Sequence, residues 1–180
     1  MKPANMPHTR YWKSATPAQI RLMERACRGM NIVDLGGRDG SLARHLLEAG
    51  ARCATSVDHQ TAVPRLRAAR LQHFAGEFDA FNTAYAQESW DVGILSWPIT
   101  YANQLDAVIP ALKRCRRIIY LGRNDRLSQC GTCALWRYLI HRQLMKCLKR
   151  KCSTILIYGE ADRDKPLSEE ERWGLKAINR

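Results

Sequence analysis

Gly36, Gly37 and Gly40, with the carboxylates of Asp34 and Asp58, have the residue types and spacing to hold a small ligand. Glycines so placed permit positive φ and close backbone approach, so a strand can turn sharply into a helix and a ligand can lie against the main chain. A carboxylate closing the next strand accepts both hydroxyls of a ribose. Together these are the layout of a nucleoside-binding site. Asp34 and Asp58 lie 24 residues apart, the length of one strand–helix–strand unit.

The elements that must position them flank the turn. Ile32, Val33 and Leu35 form an apolar run of strand length, rich in residues that favour the pleat. Leu42, Ala43, Leu46 and Leu47 fall on one face of a helix, with Asp39 or Ser41 able to cap it and Gly50 placed to end it. A second strand covers 51–57 and closes on Asp58.

Asp34-Leu35-Gly36-Gly37-Arg38-Asp39-Gly40 followed by Asp58 resembles the first two motifs of class I S-adenosylmethionine (SAM)-dependent methyltransferases, with Arg38 in the middle glycine's place. The dehydrogenase pattern G-x-G-x-x-G fits the glycine spacing worse. The resemblance is specific over 31–98 and loose over 99–160. It implies SAM as cofactor, with Asp34 and the turn Gly36, Gly37, Arg38 and Gly40 on its methionine part and Asp58 on its ribose. It further implies His59 at the cofactor's edge and either Glu77 or Asp79 on the adenine amino group. Ser96-Trp97-Pro98-Ile99, at the tip of the fourth strand, partly resembles the (Asp/Asn/Ser)-Pro-Pro-aromatic motif of enzymes that methylate base amino groups. Ser96 and Pro98 fit that motif; Trp97 and Ile99 depart from it. The implied acceptor-side catalytic candidates are Ser96, Trp97 and Pro98, with Ser96 also bordering the cofactor. The sulfonium of SAM is a good leaving group, so no metal is required.

The expected fold is a three-layer Rossmann-like α/β domain, a mostly parallel sheet with helices on both faces. Strands are expected at 31–35, 51–57, 71–75, 90–96, 116–121 and 153–158, in the order 3-2-1-4-5 with the sixth beside the fifth. No seventh strand is apparent, so the sheet reads as truncated after the sixth. Residues 1–16 read as a flexible tail and 17–180 as a single SAM-binding domain. A leading helix runs from Thr16-Pro17 to about Arg28, of the kind that packs over the cofactor in similar enzymes, and a short basic one covers 62–70. Residues 103–115 form a helix interrupted by Pro110. A long helix is expected over 133–148, because Leu135, Tyr138, Leu139, Arg142, Met145 and Leu148 keep helical register. An acidic amphipathic segment follows at 168–178.

At 180 residues and 46% hydrophobic content, the chain suits one domain with a sizeable core. No apolar run approaches the roughly 20 residues that span a bilayer, and no signal-peptide core is present, which places the protein in the cytoplasm and off the membrane. Seven scattered cysteines agree with a reducing compartment. Cys130-Gly131-Thr132-Cys133 has a zinc-like spacing but lacks a second pair. No Walker A sequence, G-x-S-x-G elbow or H-E-x-x-H occurs, so hydrolase chemistry has no support.

The net charge of +12 is concentrated: Lys113 to Lys151 holds twelve basic side chains against Asp125 alone, a net of +11. Such a block attracts a polyanion, which makes a nucleic acid the favoured acceptor and partner. One alternative is an inactive methyltransferase-like protein that binds SAM or nucleic acid and acts through a protein partner. The missing seventh strand and the incomplete tip motif favour it. A further alternative is a small-molecule or protein methyltransferase with an incidental basic face, in either case with a homo-oligomer open.

Overall fold

The computed structural model describes residues 15–58, 69–96, 105–123, 132–150 and 153–161. Alternate apolar residues of each central strand enter two different cores. Val33, Leu35, Leu95, Ile118 and Tyr120 pack on one side of the sheet, and Ile32, Val92, Ile94, Ile119 and Leu121 on the other. Strands buried on both faces need helices on both faces, and the chain supplies them. α1 (Pro17–Cys27) and α2 (Ser41–Glu48) cover the second side. The first is covered by α3 (Phe78–Ala84), a 3-10 turn (Leu105–Val108), α4 (Ile109–Lys113) and α5 (Cys133–Ile140). Pro110, expected to interrupt a helix, instead sits in the first turn of α4, where its missing N–H costs nothing.

The strands are β1 (Asn31–Leu35), β2 (Cys53–Asp58), β3 (Leu71–Ala75), β4 (Trp90–Ser96), β5 (Cys115–Arg123), β6 (Arg142–Arg150) and β7 (Ser153–Ala161). They form one seven-stranded sheet in the order β3-β2-β1-β4-β5-β7-β6. β1 to β5 are parallel, and β7 runs antiparallel to both β5 and β6. The three-layer Rossmann-like expectation holds, and the strand expected sixth does lie beside β5.

The expected truncation does not hold. The helix expected over 133–148 stops at Ile140, and Arg142 opens the strand that seemed missing. The reason is a bulge. Between Leu144 and Lys146 the register against β7 slips, so Leu144 and Cys147 pack on the same core while Leu148 joins the other. Spacings of three and four within a strand imitate a helix.

Arg142, expected in helical register with Leu135, Leu139 and Leu148, instead opens β6 at this corner. Its guanidinium is buried and donates to the carbonyls of Gly159 (2.6 Å), Cys115 (3.0 Å) and Arg116 (2.8 Å) and to the Tyr138 hydroxyl (2.9 Å). It thereby ties α5, β5 and β7 together. Arg114, another member of the basic block, is also used internally: it stacks over Trp90 and donates to Asn82 Oδ1 at 3.2 Å.

Thr16 and Gln19 close a capping box on α1. Gln19, fully buried, was not among the expected core residues. Its Nε2 donates to the carbonyls of Leu148 and Ser153, each at 3.1 Å, and its Oε1 accepts from Ser153 Oγ at 2.7 Å. The leading helix therefore braces the tip of the β6–β7 hairpin, while Leu22, Met23 and Cys27 pack into the core shared with α2. The expected helix at 62–70 falls almost entirely, and the segment at 168–178 wholly, outside the described residues. Among the described residues, no helix is long and apolar enough to cross a membrane.

Candidate functional site

The turn after β1 is held by main-chain bonds to the tip of β2. The N–H groups of Gly36 and Gly37 donate to the Val57 carbonyl at 2.8 and 3.1 Å, and Gly40 N–H donates to Gly37 O at 2.9 Å. Gly36 and Gly40 have φ of 80° and 75°, and Arg38 also has a positive φ of 50°. The Arg38 N–H is secured by Asp58, whose Oδ2 accepts it at 2.9 Å. The carboxylate expected to meet a ribose thus also fixes the turn. Asp39 Oδ1 accepts from Ser41 N–H at 3.0 Å, Gly40 occupies the capping position, and Ser41 is the first helical residue of α2.

Beneath the turn lies a row of polar side chains. The register pairs Asp34 with Ser56 and Ser56 with His73. Asp34 and Ser56 are both fully buried, and neither Asp34 oxygen nor Ser56 Oγ has a hydrogen-bond partner among the described residues. Burial pushes the Asp34 carboxyl up to about 7, helped by the negative charges of Asp58 and Asp39. The Ala43 amide of α2 opposes the shift without reaching hydrogen-bond geometry.

Gly37 closes this space. A Cβ there would stand 2.5 Å from Ser56 Oγ and 2.6 Å from Asp34 Oδ2. Gly37→Ala is accordingly expected to destabilise the protein by about 1–3 kcal/mol through overpacking. If the turn binds a cofactor, affinity should fall about tenfold as well, one decade per 1.4 kcal/mol. Thermal denaturation with calorimetric titration checks both, and a Gly37→Ala protein that matches the wild type in both would contradict the packing described.

No protein-family model matches the chain, and no curated protein matches its sequence. Solved structures do. A Streptococcus thermophilus hemolysin candidate is 11% identical, with a TM-score of 0.62 over 99% of this chain and 75% of its own. A Streptococcus pneumoniae protein proposed to be a tRNA methyltransferase is 20% identical, with a TM-score of 0.61 over 88% of this chain and 76% of its own. A ribosomal protein methylase of Lactobacillus delbrueckii is 17% identical, with a TM-score of 0.57 over 80% of this chain and 78% of its own. The chain has the fold of the class I methyltransferases.

In this methyltransferase fold the candidate residues gather at the C-terminal edge of the parallel strands, where open α/β sheets bind ligands. Asp58 ends β2 and is only 6% exposed. Its carbonyl accepts from Gly76 N–H at 2.9 Å, so the start of α3, with Glu77 and Asp79, joins the same corner. Glu77 caps α3 by position and Asp79 lies in its first turn, both exposed. Ser96, half-buried, ends β4 one residue beyond the Leu35–Leu95 pair, beside the start of the glycine turn. His59, Trp97, Pro98 and Cys130 lie outside the described residues. Ser56 and His73 were not singled out from the sequence. Polar neighbours in the same strands, Thr55 beside Ser56 and Gln72 beside His73, leave them without a distinguishing signal, and only the register brings them together.

Proposed function

We propose that the protein is a SAM-dependent methyltransferase acting on a nucleic acid. The observation that carries this reading is the glycine turn pinned to the end of β2, with the Asp58 carboxylate bonded to its Arg38 amide. The residues fit the cofactor. A Cβ at Gly37 would collide with Ser56 and Asp34 beneath the turn, so glycine alone lets the main chain take this path. The Asp34 carboxylate, without a hydrogen-bond partner among the described residues, favours a cationic ligand at the turn. Bound SAM supplies a methyl group on a sulfonium. Asp58 accepts its ribose hydroxyls, the turn takes its methionine part, and Glu77 or Asp79 accepts from the adenine amino group. Ser96 orients the acceptor nitrogen and accepts a hydrogen bond from it. The complete seven-stranded sheet removes the truncation that had favoured an inactive relative. The basic excess between Lys113 and Lys151 supports a polyanionic acceptor.

Calorimetric titration with SAM tests the reading. Asp58→Ala is expected to weaken binding by on the order of 2 kcal/mol through loss of charge-assisted hydrogen bonds. Unchanged affinity in a folded variant would remove Asp58 from the ribose site. Ser96→Ala should lower methyl transfer to RNA or DNA more than it lowers SAM affinity. Equal losses would take Ser96 off the acceptor side.

A further inference from the structure

Three arginines gather at the edge of the sheet away from the glycine turn, where β1, β2 and β3 begin. Arg28 stands at the C-terminal cap of α1, Arg52 directly precedes β2, and Arg70 directly precedes β3. All three are exposed. Their loops are fastened to one another. Gly29 N–H donates to the Gly50 carbonyl and Arg52 N–H to that of Met30, each at 2.8 Å, and Ala54 N–H donates to that of Arg70 at 2.9 Å. The stem of Arg28 lies against Gly50, since a Cβ there would stand 3.5 Å from Arg28 Cγ. Arg70 Nη1 donates to the carbonyls of Ala51 at 3.4 Å and Arg52 at 3.3 Å. Arg28 and Arg70 thus both lean on the short segment 50–52, which Arg52 ends.

We propose that Arg28, Arg52 and Arg70 hold the phosphodiester backbone of the nucleic-acid acceptor at this edge. The inference deepens the function proposed above and rests on it. Like charges gathered on one short segment repel, and an anion set between them turns that repulsion into attraction. The C-termini of α1 and α2 lie at the same edge, and their partial negative charge offsets part of the repulsion in the empty site. The carboxylates that could neutralise the cluster are engaged elsewhere. Glu48 pairs with Arg44 at 2.9 Å, Glu24 with His45 at 2.8 Å, and Asp91 accepts from Asn31 N–H at 2.9 Å. No carboxylate occurs in 25–33, 49–57 or 69–76. A guanidinium fork matches the oxygens of a phosphate, and forks carried by three loops suit a run of phosphates better than one. The length of β2 sets the distance to the chemistry. Its six residues, from beside Arg52 to Asp58, span about 20 Å. At one phosphate per 3.4 Å, a stacked strand covers that with about six phosphates. An acceptor with its target base at the glycine turn therefore reaches the cluster with its flanking backbone. Phosphate contacts of this kind position an acceptor without reading its sequence.

The test uses a fluorescent single-stranded RNA 24-mer, titrated at several salt concentrations. The double variant Arg28→Gln, Arg52→Gln is compared with Arg21→Gln, Arg44→Gln, which removes equal charge from the exposed faces of α1 and α2. A triple variant adds Arg70→Gln to the first. The triple variant is expected to lose at least tenfold in affinity and to flatten the log–log salt slope by about 2, at roughly 0.7 per lost phosphate contact. The cluster double variant, which keeps the Arg70 bonds to the main chain, should flatten it by about 1.4. The Arg21, Arg44 variant should bind within twofold of the wild type. Equal losses in the two double variants, or no salt-dependent binding by the wild type, would overturn the assignment. So would inorganic phosphate or a poly-glutamate peptide competing as well as the RNA at matched charge, which would assign the cluster to a small anion or an acidic protein. SAM titration of the same variants separates the two readings. RNA affinity that depends on the cluster, without SAM binding, would keep the cluster as an RNA contact and remove the methyltransferase. SAM binding with RNA affinity indifferent to the cluster would do the reverse.

Discussion

Asp34→Asn is expected to make the ligand-free protein more stable above pH 7, by on the order of 4 kcal/mol, at about 1.4 kcal/mol per pH unit between the usual carboxylate value and the raised one. The sign follows from where the proton is held. Burial raises the folded-state value from 3.8 to about 7, so between these limits the folded chain keeps a proton that the unfolded chain releases. Wild-type stability therefore falls as pH rises through that window. It is level with respect to this group below about 4, where both states are protonated, and carries the full penalty above about 7. The amide has no such slope. Urea denaturation of both proteins between pH 4 and 8 measures the divergence, and parallel profiles would show that Asp34 does not titrate as described. The same variant should bind SAM more weakly, since an ionised Asp34 favours the cationic cofactor. In the wild type, SAM affinity should rise with pH through 7 for the same reason. Instability of the empty site and affinity of the filled one would then share one carboxylate.

Arg142→Ala is expected to lower stability by about 3–5 kcal/mol. It leaves the carbonyls of Gly159, Cys115 and Arg116 without their buried donor, and each such group costs about 1–3 kcal/mol. An arginine on the exposed face of a long helix would lose within about 0.5 kcal/mol. Chemical denaturation therefore separates a buried, multiply bonded Arg142 from a solvent-exposed one. A loss below about 1 kcal/mol would contradict the buried hydrogen bonds described.

That contrast marks where the sequence was readable. β1, the turn and α2 were legible because everything that defines them lies within a few residues: the apolar run, the glycines, the amphipathic face and Gly50 at its end. Asp58 was legible because one strand–helix–strand unit fixes its distance from Asp34. β6 was not, because its bulge gave Leu144, Cys147 and Leu148 the spacing of a helix. The burial of Gln19 had no local signal, since its partners Leu148 and Ser153 lie at the other end of the chain. Ser56 and His73 became part of the site only through strand register, which no local pattern encodes. Local chemistry was readable; pairing across distance was not.

The β6–β7 hairpin also sets an order of assembly. β6 is joined to the sheet only through β7, and β7 is the later of the two along the chain. Gln19 meets Ser153 across 134 residues. During synthesis from the N-terminus, α1 and β1 to β5 emerge while the outer edge of β5 still shows unpaired main-chain groups and Gln19 waits for its partners. Of the described elements α1 is made first and β7 last, so β7 closes that edge and secures α1 in one event. Such long sequence separation slows folding, and it leaves the protected state to be reached only after residue 161 has cleared the ribosome.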